Sequence, residues 1–200
     1  MATDNHSAVT KRWSTDKAKA WFANQPWPCG CNFLPSTAVN FVDMWHPETF
    51  DVDTIDRELG WAADIGYNSM RVNLQYVLWA NDPNGMMDRI ERYLNIASTH
   101  GISTVFCLFD DCEFSGNTPS TDRQPDPLPG IHNSRALASP GRQALMDEAQ
   151  WAGFEDYVTA IVGAYAQDER VLYWDLYNEP GNVSVFTEEE RDVSFGEAMT

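Results

Sequence analysis

A chain of 200 residues with 43% hydrophobic and 12% aromatic content is large enough to bury a real core, as one domain or as part of a larger one. Thirty acidic residues against 13 basic ones give a formal charge of -17, which repels nucleic acid and anionic membrane surfaces and leaves neutral or cationic ligands as partners. No run of 18 apolar residues offers a membrane span, and the opening MATDNHSAVTKRW lacks the apolar stretch of a secretory signal, so the reading is a cytoplasmic protein.

Residues 1–28 read as an amino-terminal segment carrying one helix, over about 15–24. A first buried strand follows at 30–34. After a long connection, Asp51 or Asp53 caps a helix whose apolar stripe is Ile55, Leu59, Ala62 and Ile65, with Gly66 where it ends. A second strand spans 69–74. Met87, Ile90, Leu94 and Ala97 repeat the helical stripe up to His100-Gly101, and a third strand covers 104–109. The loop 110–148, rich in Pro, Gly, Asn and Asp, is too long to be mere connection. A third helix carries Phe154, Val158, Ile161, Val162 and Tyr165 behind a Trp151 read as core, and a fourth strand spans 171–177. The stretch 187–200, acidic at its front as the helix dipole favours, reads as the start of another helix.

None of the four strand runs alternates as a half-wet antiparallel strand would, and helices separate them. That order predicts an α/β fold with parallel strands joined by crossover helices over residues 29–200. The connections leaving the strands are the long ones, so the elaborated side lies beyond the carboxyl ends of the strands, where such sheets keep their sites.

Each strand delivers polar groups to that side: Asn32 from the first, Arg71, Asn73 and Gln75 on one face of the second, Asp110-Asp111 from the third, and Asp175, Asn178 and Glu179 from the fourth. An arginine between Met70 and Val72 must meet an anion or acceptors, either in a core ion pair with Asp175 or in positioning a catalytic carboxylate. Glu179 closes the run WDLYNEPGN, where Trp174 and Tyr177 are expected to desolvate its carboxyl group and favour the protonated form a general acid needs. The alternative leaves this carboxylate simply wet at a strand end. Cys29, Cys31, Cys107 and Cys112 match no zinc or dithiol spacing and read as free thiols. All three lysines precede residue 20, which excludes a Schiff-base lysine from the body of the fold.

Asn-Glu-Pro ending a fourth parallel strand, Arg71 late in the second and the opening GCNF together resemble clan A glycoside hydrolases, most nearly the cellulase-like family 5. GCNFLPSTAVNFVDMW, DTIDRELGWAADIGYNSMRVNL and SPGRQAL are similar to a bacterial group of such enzymes, and the resemblance runs from about residue 21 to 182. It implies a TIM (β/α)8 barrel, of which only the first four β/α units are present, and a retaining mechanism with two carboxylates roughly 5 Å apart acting on a carbohydrate. Glu179 then matches the acid/base, Asn178 the group that bonds the sugar 2-hydroxyl, and Arg71 the residue that steadies the nucleophile. Many relatives carry histidine where Asp110-Asp111 stands, which changes the sugar contacts at that edge. Asn32, Asp110, Asp111 and, from the long loop, His132 with Asn133 are further candidate substrate contacts. Trp45 and Trp79 are candidate platforms for pyranose faces. No cofactor or metal is implied.

The family's nucleophile ends a seventh strand, whereas this sequence passes only the fourth; a complete barrel takes about 250 residues. The expectation is an amino-terminal half that hydrolyses only when further chain completes the barrel, with open edges that invite self-association. Two rivals remain: a non-catalytic carbohydrate-binding fragment, and a metal-dependent barrel using Asp110, Asp111, Glu113 and His132 as ligands.

Overall fold

A computed structural model describes residues 12–113 and 117–180. Four strands, β1 (Gly30–Asn32), β2 (Ser69–Asn73), β3 (Ser103–Asp110) and β4 (Val171–Asn178), form one sheet in the order β1-β2-β3-β4 with every neighbouring pair parallel. Among the described residues seven α-helices accompany them: α1 (Thr15–Ala23), α2 (Phe41–Trp45), α3 (Val52–Asp64), α4 (Tyr76–Asn81), α5 (Pro83–Thr99), α6 (Arg142–Leu145) and α7 (Trp151–Tyr165). The helix expected at 187–200 lies outside the described residues.

The crossover helices start where short acceptors meet unpaired amide donors. Asp51 accepts from the Thr54 amide at 3.0 Å to open α3, and Asp82 accepts from the Gly85 amide at 2.9 Å ahead of Pro83 to open α5. Gly66, at φ 97°, ends α3 in the left-handed region that glycine enters without a Cβ penalty. Gly30 answers a different need: a Cβ there would lie 1.7 Å from the Ser69 carbonyl oxygen, so only glycine lets β1 pair with β2.

The core lies between one face of the sheet and the crossover helices. Ile55 and Leu59 of α3, Met86, Ile90, Tyr93, Leu94 and Ala97 of α5, and Tyr157 and Ile161 of α7 are buried against Val72, Phe106 and Leu108. Three stripe positions shift from the sequence reading. Ile65 is 73% exposed because α3 ends at Asp64; Met86 takes the fully buried place beside a half-buried Met87; Trp151, the first residue of α7, is 37% exposed and donates its indole N–H to the Leu145 carbonyl at 2.9 Å. Arg170 ties the entry of β4 to α5 through Asp168 and Glu91, and its hydrogen bonds hold both carboxyl groups below their ordinary range.

Among the described residues β1 and β4 each keep one unpaired edge, and Tyr173 and Leu176 of β4 are 50% and 67% exposed. No helix among them is long and apolar enough to cross a membrane.

Candidate active site

Strand alternation fails between Phe106 and Phe109, and the failure builds the site. Phe106 and Phe109 are three residues apart, yet both rings meet helices: Phe106 packs on Tyr93 of α5, Phe109 on Phe154 and Tyr157 of α7. Trp174 and Tyr177 of β4 follow them, packed at a tilt on Phe106 and Phe109. An odd spacing between two residues on the same face means that both strands switch phase together between Phe106 and Phe109 while keeping their register, and Asp110 and Asn178 join the hydrogen-bond network of Arg71, Asn73 and Asp175. The same switch corrects an expectation: Trp174 and Tyr177 point at the helices and do not wall in Glu179, which is exposed.

Arg71 organises this face. Its Nε and Nη2 donate to Asp175 Oδ2 at 2.9 and 2.6 Å, Nη2 donates to Asn178 Oδ1 at 2.9 Å, and Nη1 donates to Asn32 Oδ1 at 3.1 Å and Asn73 Oδ1 at 3.4 Å. All five N–H positions of the fork have acceptors within one constellation, which answers the desolvation of a half-buried cation. Burial by itself would weaken the guanidinium's hold on its proton; the Asp175 carboxylate reverses that, and the group stays above its ordinary range. The ion pair with Asp175, the first of the sequence alternatives, is formed, and the same guanidinium also holds Asn178.

Asp110 sits 4% exposed beneath the constellation. Its Oδ1 accepts from Asn178 Nδ2 and the Cys112 amide, both at 2.7 Å, and its Oδ2 accepts from Asn73 Nδ2 at 2.5 Å. Burial pushes its pKa up to about 6 against the pull of these donors. Burial and the neighbouring Asp110 and Glu179 charges likewise push the Cys112 thiol up to about 12. Glu179 follows β4 with φ 49°, a left-handed conformation uncommon for a residue with a side chain and one that sets its carboxylate at the rim.

The long loop folds back over the strand ends. Asp110 and Ser139 exchange both backbone hydrogen bonds at 2.7 Å, Gln75 donates to the Leu137 carbonyl, the Tyr76 amide donates to Ser139 Oγ, and Asn40 donates to the Arg135 carbonyl. These anchors leave an open cleft of about 470 Å³ floored by Asn32, Arg71, Asn73, Asp110 and Asn178, with Glu179 at its edge and His132 and Asn133 on the loop side. Phe33 and Phe41 supply its aromatic lining, a role that sequence reasoning missed although Phe33 directly follows Asn32. Asn40 and Gln75 were the available signals for the loop's return, as polar residues bracketed by apolar ones.

Three proposed contacts lie elsewhere. Trp45 is fully buried, stacked on Phe50 and donating its N–H to the Asn73 carbonyl at 2.8 Å, because α2 turns it into the core. Trp79 packs between Tyr76 and Tyr157 under α7. Asp111 is 3% exposed and accepts from the Tyr177 hydroxyl at 2.7 Å, away from the cleft lining. Asp110, Asp111, Glu113 and His132 do not form a cluster, and among the described residues no three carboxylate, imidazole or thiol groups converge on a metal position.

No family model and no curated protein matches the chain. Among solved structures it is similar to an exo-β-1,4-mannosidase from Opitutaceae bacterium strain TAV5, at 18% identity and a TM-score of 0.54 over 86% of this chain and 30% of that one. It is similar to a β-mannanase from the blue mussel Mytilus edulis, at 18% identity and 0.51 over 77% and 42%. A GH5_18 protein from Streptomyces cattleya in complex with GlcNAc matches at 16% identity and 0.51 over 86% and 41%. The chain therefore spans less than half the length of these glycoside hydrolases, and its four parallel strands with their helices have the fold of half a (β/α)8 barrel.

Proposed function

We propose that the chain supplies the acid/base half of a retaining β-glycosidase cleft that acts on β-1,4-linked, mannose-configured oligosaccharides. The carrying observation is the convergence of Arg71, Asn178 and Glu179 at one cleft beyond the carboxyl ends of the strands. The activities of the similar structures, an exo-β-1,4-mannosidase and a β-mannanase, support the sugar class.

In this reading Glu179 first donates a proton to the glycosidic oxygen as the bond from that oxygen to the anomeric carbon breaks, while a second carboxylate, roughly 5 Å away, attacks that carbon. Glu179, now ionised, takes a proton from water, whose oxygen displaces the second carboxylate and leaves a free sugar and the starting protonation states. Asn178 orients the sugar through the hydroxyl beside the reacting carbon. Arg71 steadies the second carboxylate, the nucleophile, through its positive charge and hydrogen-bonding fork. The second carboxylate belongs to the remainder of such a barrel, whose strands would pair with the free edges of β1 and β4; a second copy of this chain is the other partner those edges admit.

The test is a titration of the 200-residue chain with β-1,4-mannotriose followed by two-dimensional amide NMR. Shifts confined to residues 32–33, 71–73, 132–133 and 178–179 are the expected result. Shifts elsewhere, or none at millimolar sugar, would remove the reading. Mannotriose binding without turnover by the unaltered chain, once the barrel is complete, would support the carbohydrate-binding alternative.

A further inference from the structure

We propose that Asp110 is a positioning residue that fixes the amide orientation of Asn178 and Asn73, and so decides which face of Asn178 is offered to a sugar. The role takes its functional meaning from the glycosidase reading above, but its geometry stands without it.

Two parallel bridges join a cation to an anion. Arg71 donates to Asn178 Oδ1, and Asn178 Nδ2 donates to Asp110 Oδ1; Arg71 donates to Asn73 Oδ1, and Asn73 Nδ2 donates to Asp110 Oδ2. An amide can bridge in only one sense. Flipping either one would aim its NH2 at the guanidinium and its oxygen at the carboxylate, leaving two like-signed contacts in a half-buried network. Arg71 alone does not impose this order, since an amide oxygen can accept from it while the NH2 group rotates with the side chain. The carboxylate beneath fixes the second end. One Nδ2 hydrogen of Asn178 is thereby committed to Asp110, and the other is left for a ligand in the cleft.

Protonation undoes the arrangement. A neutral Asp110 has gained an O–H and lost one acceptor site, so it cannot take hydrogen bonds from both amides and the Cys112 backbone as before. Burial raises the pKa to about 6, so the ordered form is present above that pH and is lost as pH falls through it. The charged and titratable groups around it are Arg71 from β2, Cys107 on β3, Tyr177 from β4, Cys112 in the following loop, and His132 and Glu179 at the cleft; Asp175 takes the far edge of Arg71. His132 carries an imidazole at the cleft and therefore needs its own control.

The experiment follows the side-chain amide signals of Asn73 and Asn178 by 15N NMR from pH 4.5 to 7.5 in the free chain, assigned with Asn73→Ala and Asn178→Ala. The expected result is a common midpoint near 6 for both amides, retained in His132→Gln and absent in the isosteric Asp110→Asn, whose amide protons exchange at least tenfold faster. Amides that do not titrate in the unaltered chain, or a titration that survives Asp110→Asn, would overturn the proposal. If Asp110→Asn fails to fold, the unaltered chain and His132→Gln still decide it. Loss of the titration in a chain that binds no mannotriose upholds the positioning role and removes the glycosidase reading; a titration that survives removes the positioning role whatever the chain binds.

Discussion

Trp45→Ala will lower the melting temperature of the chain by roughly 10 °C. The side chain is fully buried, stacked on Phe50 at 5.9 Å and edge-on to Tyr93 at 5.6 Å, and its N–H satisfies the Asn73 carbonyl. Truncating a buried tryptophan costs about 3–5 kcal/mol, and at this chain length each kcal/mol moves the midpoint by about 2–4 °C. The loss of the indole also leaves the last carbonyl of β2 without its donor, directly beneath Arg71 and Asn73. Thermal unfolding followed by circular dichroism checks this. An unchanged midpoint with weakened sugar binding would return Trp45 to the platform role that its place after a strand suggests.

Arg71→Met keeps the aliphatic stem and removes the charge, and it will destabilise the chain by roughly 2–3 kcal/mol. Breaking a buried ion pair by deleting one partner costs about 3–5 kcal/mol; the Arg71 and Asp175 side chains are 24% and 31% exposed, which discounts that figure through solvent screening. Asp175 and the oxygens of Asn32, Asn73 and Asn178 lose their shared donor at once, so the effect exceeds that of a single pair. The double variant Arg71→Met with Asp175→Asn should recover part of the loss in urea unfolding, because Asp175 is then no longer a charge without its partner. No recovery would mean that the constellation, and not the pair, carries the energy.

The sheet was readable in the sequence because parallel strands covered by helices are continuous apolar runs, and 69–74 and 104–109 lie within one residue of their observed bounds. Arg71 stood out for the same reason, as a charge inside such a run. What escaped was direction. Residue type does not tell whether a tryptophan after a strand turns inward, and α2 and α4, six residues or fewer, depend on packing more than on periodicity. The phase switch between Phe106 and Phe109 has no signature in composition, yet it decides that Asp110 faces the cleft while Asp111 bonds to Tyr177 behind it. The return of the long loop rests on side chains contributed from 60 to 100 residues away, as with Asn40 and the Arg135 carbonyl, a separation of 95. Such contacts belong to the fold and not to any local window.

The most direct measurement is the affinity of the chain for a mannose-configured imino sugar, whose ring ammonium mimics the charge of an oxocarbenium-like transition state, compared between the unaltered chain and Glu179→Gln by NMR titration. The account predicts that Glu179→Gln weakens the cationic ligand at least tenfold while neutral mannotriose binds within a factor of about two. Equal affinity of the imino sugar for both chains would contradict a catalytic carboxylate at residue 179.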